Sequence, residues 1–237
     1  MTDQLFQRDA FLREFGAVVS AAGVAGVVLD RTAFYPGGGG QPCDIGTLSW
    51  ASGVANVTKV ARKDGEIVHE LDGLAPAFGT QVTGTVDWEN RHALMRTHTA
   101  LHILCGVIWR DWLRVVTGGN MDALSGRMDF EFVELPEGFA ERLEELCSAE
   151  IAADRPVEVS FLDRGEAVLD RDLIRTKVNL IPDYVTEIRV VDIVGLDKQA
   201  DGGTHVSSTG QVGRLEVTKT ESKGKGFKRV RFVLHDE

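Results

Sequence analysis

The chain has 237 residues and a formal net charge of −10 at pH 7, with 43% hydrophobic and 26% charged residues. That length suffices for one large domain or two small ones. The acidic balance argues against a protein that coats nucleic acid non-specifically, and no apolar run approaches the roughly 20 residues that cross a bilayer. A polar N-terminus without a signal-peptide pattern makes the cytoplasm the expected location. Three cysteines outside any CxxC pair predict neither a disulfide framework nor a thiolate zinc cluster.

The first 87 residues predict β-structure. Apolar stretches recur at residues 17–19, 27–29, 54–60, 67–68 and 82–86, with turn signals between them. Ala22 and Gly23 are expected to divide the first pair, and Asp64-Gly65 to form a tight hairpin turn, because glycine supplies positive φ. The spacing predicts a small antiparallel barrel or sandwich.

The pattern changes at Asp87, a suitable N-cap for a helix that reaches about Arg110. A strand is then expected at 127–133, a second helix from Pro136 to Ile151, strands at 157–161 and 188–194, and a closing hairpin of 214–220 and 227–234. This order predicts an α+β fold. We expect an antiparallel β-barrel-like domain at residues 1–87 and an α+β domain at residues 88–237.

Two histidines, His98 and His102, stand four residues apart in the predicted helix. Residues at this spacing lie on the same helix face, roughly 6 Å apart along the axis. Two imidazoles so placed can meet one metal ion. The alternative is two helix histidines without a shared ligand.

A second motif, Asp201-Gly-Gly-Thr-His205, lies about 100 residues downstream. Its paired glycines permit a tight turn that aims His205 and Asp201 inward. Three histidines and one carboxylate form a plausible tetrahedral zinc site. Alone, this motif could be a plain turn before a strand, but the two motifs together favour a metal centre.

These motifs carry a resemblance. The HxxxH pair, the GGTHVSSTGQVG segment that ends at Gly213, and FYPGGGGQPCDIG at residues 34–46 are similar to the editing domain of alanyl-tRNA synthetase and its free-standing relatives, the AlaX proteins of medium length. The tail at residues 222–232 resembles the family's closing hairpin. The resemblance covers almost the whole chain. It implies a zinc-dependent deacylase that serves translation fidelity by hydrolysing mischarged tRNA(Ala), chiefly Ser-tRNA(Ala), with Gly-tRNA(Ala) as a further candidate.

One position departs from the family pattern, since Asp201 stands where the family has a zinc-binding cysteine. Aspartate ligates zinc at about 2.0–2.2 Å, although a carboxylate is harder than a thiolate. Either Asp201 or a water molecule can therefore fill the fourth position. Zinc could polarise the ester carbonyl, activate water or orient the substrate, and the sequence leaves these roles open.

The resemblance also assigns two catalytic residues. The glycine-rich loop at residues 37–40 lacks the spacing of a nucleotide-phosphate site, so no nucleotide cofactor is expected. The loop is at least a tight connection between strands, and the resemblance implies that Gln41 beside it positions the tRNA end or the water. Thr117 is similarly implied to recognise the hydroxyl of a wrongly attached serine; otherwise it is a turn residue.

Basic residues gather near the C-terminus, against the acidic balance of the chain. They include Lys219, Lys223, Lys225, Lys228, Arg229 and Arg231. We expect Lys223, Lys225, Lys228 and Arg229 to contact the tRNA phosphate backbone, although a solvated hairpin is the alternative. Two rival functions remain: a zinc hydrolase of a small ester or amide, and a non-catalytic zinc-stabilised RNA-binding module. The sequence leaves the oligomeric state open.

Overall fold

The computed structural model describes residues 2–167, 173 and 186–236. Its N-terminal elements are β1 (Asp3–Gln4), β2 (Glu14–Gly23), β3 (Gly26–Leu29), β4 (Arg31–Thr32), β5 (Gly46–Trp50), β6 (Gly53–Lys63), β7 (Glu66–Asp72), β8 (Gln81–Val86) and α1 (Trp88–Trp112). The remaining elements are β9 (Val116–Asp122), β10 (Ser125–Glu131), α2 (Phe139–Ala152), β11 (Val157–Asp163), α3 (Arg164–Ala167), β12 (Glu187–Ile193), β13 (Asp197–Ala200), β14 (Arg214–Ser222) and β15 (Phe227–His235). Short 3-10 helices cover Leu5–Gln7 and Thr209–Val212.

The N-terminal strands close into a barrel in the order β2-β3-β7-β6-β5-β8, with every pair antiparallel. Alternate strand residues point inward, and their apolar side chains, among them Phe15, Leu29 and Leu48, fill the interior. The predicted α+β class with an N-terminal antiparallel barrel is confirmed.

The sequence predicts turns for two of the barrel's hairpins. Asp64 and Gly65 both have positive φ, 50° and 83°, as a tight two-residue hairpin between β6 and β7 requires, so that prediction is confirmed. The turn between β2 and β3 lies at residues 24–25, beyond the predicted Ala22 and Gly23, which both belong to β2.

A buried ion pair holds the glycine-rich segment of the barrel unit. Arg91 and Asp44 both have fully buried side chains and form a salt bridge. Arg91 also donates to the carbonyl oxygens of Ala10 and Ala33, at 2.8 and 2.6 Å. Asp44 accepts from the Tyr35 backbone N–H, and its own N–H donates to the Tyr35 carbonyl at 2.9 Å. These bonds close the segment on both sides of residues 37–40, where all four glycines have positive φ.

Helix α1 begins where the sequence predicts. The Asp87 carboxylate accepts the Asn90 N–H at 3.1 Å, which satisfies one of the unpaired donors of the first turn. The predicted apolar face, including Leu94, Leu101 and Ile108, is buried. No described helix is both long and apolar enough to span a membrane.

Two sheets complete the C-terminal part. One has the order β14-β15-β10-β9 and the other β11-β12-β13. Helix α2 packs on β14, and Glu144 on α2 accepts the Val217 N–H at 2.9 Å. The closing hairpin of β14 and β15 confirms the prediction for that segment.

Two predictions for this part were wrong. The segment that contains Thr117, Gly118 and Gly119 forms strand β9, not a turn, because β10 supplies backbone partners on both sides of a register shift at Thr117. The second helix begins at Phe139, after a left-handed Gly138 N-cap, and not at Pro136. Strand β13 was not predicted from its polar sequence.

The chain divides into two compact units, Met1–Ala93 and Leu94–Glu237. The division falls inside α1. The functional boundary expected at residue 87 stays a prediction.

Candidate metal centre

Helix α1 and the segment after β13 bring four potential ligands together. His98 and His102 lie one helical turn apart on the buried face of α1, and Asp201 and His205 follow β13. The three histidines are 3–6% exposed. The ligand atoms of all four residues lie within 4.8 Å of one another.

The Asp201 carboxylate faces all three imidazoles. Its Oδ2 atom lies 3.6 Å from Nε2 of His98 and 4.0 Å from Nε2 of His102. Its Oδ1 atom lies 3.1 Å from Nε2 of His205. Ligands of a tetrahedral zinc ion with bonds of 2.0–2.1 Å stand about 3.3 Å apart. The donor set and its size therefore fit a single transition-metal ion.

The opposite ring nitrogens of two histidines have partners of their own. His102 Nδ1 lies 3.0 Å from Oδ2 of Asp197, whose side chain is fully buried. His205 Nδ1 lies 3.2 Å from the Thr99 hydroxyl oxygen, which also accepts the Val206 N–H. With each Nδ1 as donor, both Nε2 lone pairs face Asp201, as metal ligation requires.

Backbone and side-chain bonds fix Asp201. Its Oδ1 accepts the Gly203 N–H at 2.7 Å. The buried guanidinium of Arg189 donates to the Asp201 carbonyl at 2.9 Å, and the Asp201 N–H donates to the Arg189 carbonyl at 3.1 Å. Neither Gly202 nor Gly203 has positive φ. The turn therefore needs no left-handed glycine, and the Asp201 side chain itself organises it through the bond from the Gly203 N–H.

Burial and neighbouring charges set the protonation states. Burial lowers the pKa of His98 to about 4, and burial, together with the nearby His98, lowers the pKa of His205 well below its usual value. Burial alone would raise the pKa of Asp201, but the surrounding histidines hold it well below normal. Burial also disfavours charged His102, yet the hydrogen bond and charge of Asp197 raise its pKa overall. Neutral imidazoles beside an ionised carboxylate are the forms that bind metal. The shifts of His98, His205 and Asp201 favour these forms, whereas His102 must give up its proton when it ligates an ion.

The two residues assigned catalytic roles lie elsewhere in the chain. Gln41 is buried in the barrel unit, where its backbone exchanges two hydrogen bonds with Gly38 at 2.9 and 3.0 Å. Thr117 is exposed on β9 in the second unit. Their roles stay predictions.

The predicted tRNA-binding residues occupy the closing hairpin. Lys223 and Lys225 are exposed in its turn, and Lys228 and Arg229 begin β15. Arg229 forms a two-bond ion pair with Asp129, at 2.6 and 2.8 Å. The lysines are therefore better placed than Arg229 to contact a phosphate.

Sequence reasoning missed the residues behind the ligands, namely Thr99, Arg189 and Asp197. Thr99 stands between the two motif histidines, but its position in the sequence does not predict a hydrogen bond with His205. Asp197 and Arg189 lie on strands whose contacts depend on how β12 and β13 fold back on α1. Only the structure brings them to the site.

Comparison with known proteins identifies the family. The family model described as threonyl and alanyl tRNA synthetase second additional domain matches residues 188–231, and that of class II (A) tRNA synthetases matches residues 4–90. The chain thus carries a synthetase-type second additional domain, with the candidate metal centre formed by this domain and α1.

Full-length relatives narrow this assignment. The alanyl-tRNA editing protein AlaX-M of Saccharolobus solfataricus is 37% identical over 99% of both chains, and that of Methanosarcina acetivorans is 34% identical over 100% of both. The alanine–tRNA ligase of Pyrobaculum aerophilum is 39% identical over 98% of this chain but 27% of its own length. The chain belongs to the AlaX-M family of alanyl-tRNA editing proteins.

Proposed function

We propose that this protein removes wrongly attached amino acids from tRNA(Ala) by hydrolysing the ester to the 3′-terminal ribose. Ser-tRNA(Ala) is the chief substrate and Gly-tRNA(Ala) a further one. The observation that carries the proposal is the convergence of His98, His102, Asp201 and His205 around one point. The names and full coverage of the AlaX-M relatives support the substrate class.

The cofactor we propose is zinc, held by the three Nε2 atoms and the Asp201 carboxylate. Three imidazoles with a carboxylate are a donor set that zinc accepts. Bound zinc would supply Lewis-acid chemistry toward the ester. The protein's part is to hold His98 and His205 neutral and to keep bulk water from the ligand face of the histidines.

Asp201 is favoured over water as the fourth ligand because its carboxylate is already fixed toward the histidines. The hydrogen bond from the Gly203 N–H and the Arg189 contacts hold it in that orientation. Its side chain is 17% exposed, against 1–8% for the three imidazoles. A substrate would therefore reach the centre from the side of Asp201.

Discrimination between serine and alanine requires a group that bonds the serine hydroxyl. We assign this to Thr117, with Gln41 positioning the tRNA end or the attacking water. A polar group that the bound tRNA end buries and that alanine leaves unpaired costs on the order of 1–3 kcal/mol. Correctly charged Ala-tRNA(Ala) would then be spared.

For tRNA binding, we assign the phosphate contacts to Lys223, Lys225 and Lys228, with Arg229 as a weaker candidate. This hairpin is locally basic, although the net charge of the whole chain is −10. Backbone contacts of this kind give affinity that falls with salt. They also distinguish the proposal from a small-ester hydrolase, which needs no such surface.

A paired assay tests the proposal. Zinc content is measured by metal analysis, and Ser-tRNA(Ala) deacylation is followed for the wild type, His98→Ala and His102→Ala. We expect about one zinc per chain in the wild type, and loss of both zinc and activity in the variants. A folded, zinc-loaded wild type that leaves Ser-tRNA(Ala) intact over hours would favour a non-catalytic RNA-binding module. Activity on small esters alone would favour the other rival.

A further inference from the structure

A buried carboxylate stands directly behind one of the candidate ligands. The Asp197 side chain is fully buried, and its Oδ2 accepts a hydrogen bond from His102 Nδ1 at 3.0 Å and from Gln199 Nε2 at 2.7 Å. Gln199 Nε2 also lies 3.3 Å from Cys105 Sγ on α1. The carboxylate is thus oriented from both α1 and β13.

Gly106 explains how β13 comes this close to the helix. A Cβ atom built at Gly106 would lie 2.9 Å from Leu196 Cγ, 3.0 Å from Asp197 Cβ and 3.0 Å from the Leu196 carbonyl oxygen. One of these neighbours is backbone, so it cannot rotate away. Glycine at this helix position lets Asp197 reach His102, one turn earlier, without a shift of these neighbours.

We infer that Asp197 is a positioning residue of the metal centre. It fixes the His102 tautomer with hydrogen on Nδ1, aims Nε2 at Asp201, and through its negative charge strengthens Nε2 as a donor. Carboxylates behind metal-ligating histidines have these effects, and their loss typically costs 10–100-fold in metal affinity. The inference rests on the proposed metal centre and adds a residue that the HxxxH and GGTH motifs do not contain.

A purely structural role for Asp197 makes a different prediction. If the carboxylate only satisfied a buried imidazole, its replacement would alter stability but leave metal affinity and ligand geometry unchanged. The test must therefore read the metal directly, and not only folding or activity.

The first experiment compares Asp197→Asn and Asp197→Ala with wild type. Zinc affinity is measured by competition with a chromophoric chelator, and ligand geometry by the visible spectrum of the cobalt-substituted protein. Asp163→Asn is the matched control, since Asp163 is an exposed carboxylate at the end of β11 in the same sheet. We expect Asp197→Ala to weaken zinc binding about 10–100-fold and to alter the cobalt spectrum. Asp197→Asn should lose less, because an amide oxygen still accepts the Nδ1–H but carries no charge. Asp163→Asn should match wild type.

A second variant covers the case in which Asp197→Ala does not fold. Gly106→Ala leaves every ligand and Asp197 chemically intact, and alanine is the better helix former by about 1 kcal/mol. It should nevertheless weaken zinc binding, because the added methyl displaces Asp197 from His102. If folded Asp197→Asn and Gly106→Ala both bind zinc as wild type does, with unchanged cobalt spectra, the inference is overturned while the metal centre stands. A wild type that binds neither metal overturns the metal centre and the inference together.

Discussion

Arg229 on β15 and Asp129 on β10 form a two-bond ion pair, with Nε–Oδ1 and Nη2–Oδ2 distances of 2.6 and 2.8 Å. Their side chains are 11% and 17% exposed. The Arg229 guanidinium holds the pKa of Asp129 below its usual value. The pair links neighbouring strands of the sheet. The Arg229 guanidinium therefore stabilises the sheet and is less available to bind nucleic acid.

This separates two kinds of basic residue in the hairpin. Replacing Lys223, Lys225 and Lys228 together by Ala should weaken tRNA binding. It should also make the negative slope of log affinity against log salt shallower by about 2 to 3, because each phosphate contact contributes somewhat under one unit. Filter binding over a salt series measures this. Lys59→Ala with Lys63→Ala, in the barrel hairpin, is the control. An unchanged slope in the triple variant would place the tRNA surface elsewhere.

Arg229→Ala should behave differently from the lysine variants. It removes the partner of Asp129, so thermal stability should fall more than in any single lysine variant, while the salt dependence of tRNA binding changes less than in the triple variant. Thermal melts and the same binding series measure both. Unchanged thermal stability together with a clear loss of tRNA affinity would mean that Arg229 contacts the nucleic acid.

Asp201 offers a test of the fourth ligand. Asp201→Ala should weaken zinc binding by more than about tenfold, since even an outer-shell partner contributes that much. Asp201→Cys should restore or tighten binding, because thiolates suit zinc. Chelator competition measures both constants. Equal affinities for wild type and Asp201→Ala would mean that water takes this position.

The buried pair of Arg91 and Asp44 predicts a stability effect in the barrel unit. Arg91→Ala leaves a fully buried carboxylate uncompensated and should lower the free energy of unfolding by about 3–5 kcal/mol. Arg8→Ala is the matched control, since its ion pair with Asp3 is exposed and such pairs contribute little. Urea denaturation compares the two. Similar small losses in both variants would contradict the role assigned to Arg91.

His69 predicts a pH dependence of the barrel. Its Nδ1 lies 3.2 Å from the Val27 carbonyl and its Nε2 lies 2.9 Å from the Thr32 hydroxyl, and burial lowers its pKa from 6.5 to about 4. The unfolded chain therefore binds a proton that the folded protein excludes between these values. Stability from this residue is complete above pH 6.5 and falls as the pH drops toward 4, by about 2 kcal/mol at pH 5.

The variant His69→Gln isolates this effect, because glutamine does not titrate. Urea denaturation of both proteins with a chelator present, from pH 7.5 to 4.5, gives the difference in unfolding free energy. As the pH falls, the wild type should lose unfolding free energy relative to His69→Gln. Parallel curves would mean that folding does not lower the pKa of His69.

How far the sequence predicts the molecule depends on how local the signal is. The Asp64-Gly65 turn, the Asp87 cap and the HxxxH spacing are local, and each has the structure expected. Strand β9 was missed because its glycines carry no apolar alternation, and its strand form depends on pairing with β10. Asp197 was missed for a similar reason, since its contact with His102 depends on the close approach that Gly106 allows.

The same limit applies to charge. The basic hairpin is plain in the sequence, but the partner of Arg229 lies 100 residues away and no local pattern links them. The metal ligands are the exception among long-range features. Two short motifs, both rich in metal-ligating residue types, together predict one metal site. Even there, the reason for the turn, which Asp201 organises through Gly203, could not be predicted from the motif.

We propose that this protein selectively removes serine from tRNA(Ala). The most direct measurement is the rate of deacylation of Ser-tRNA(Ala) and Ala-tRNA(Ala), side by side, by zinc-loaded wild type and by Thr117→Val, which keeps the side-chain shape but removes the hydroxyl. We predict that wild type hydrolyses Ser-tRNA(Ala) about 5- to 150-fold faster than Ala-tRNA(Ala), the range expected when one polar contact worth about 1–3 kcal/mol in the bound complex is lost. Thr117→Val should narrow that ratio. Equal hydrolysis of the two substrates by the zinc-loaded wild type would contradict the account, because deacylation without discrimination is not editing.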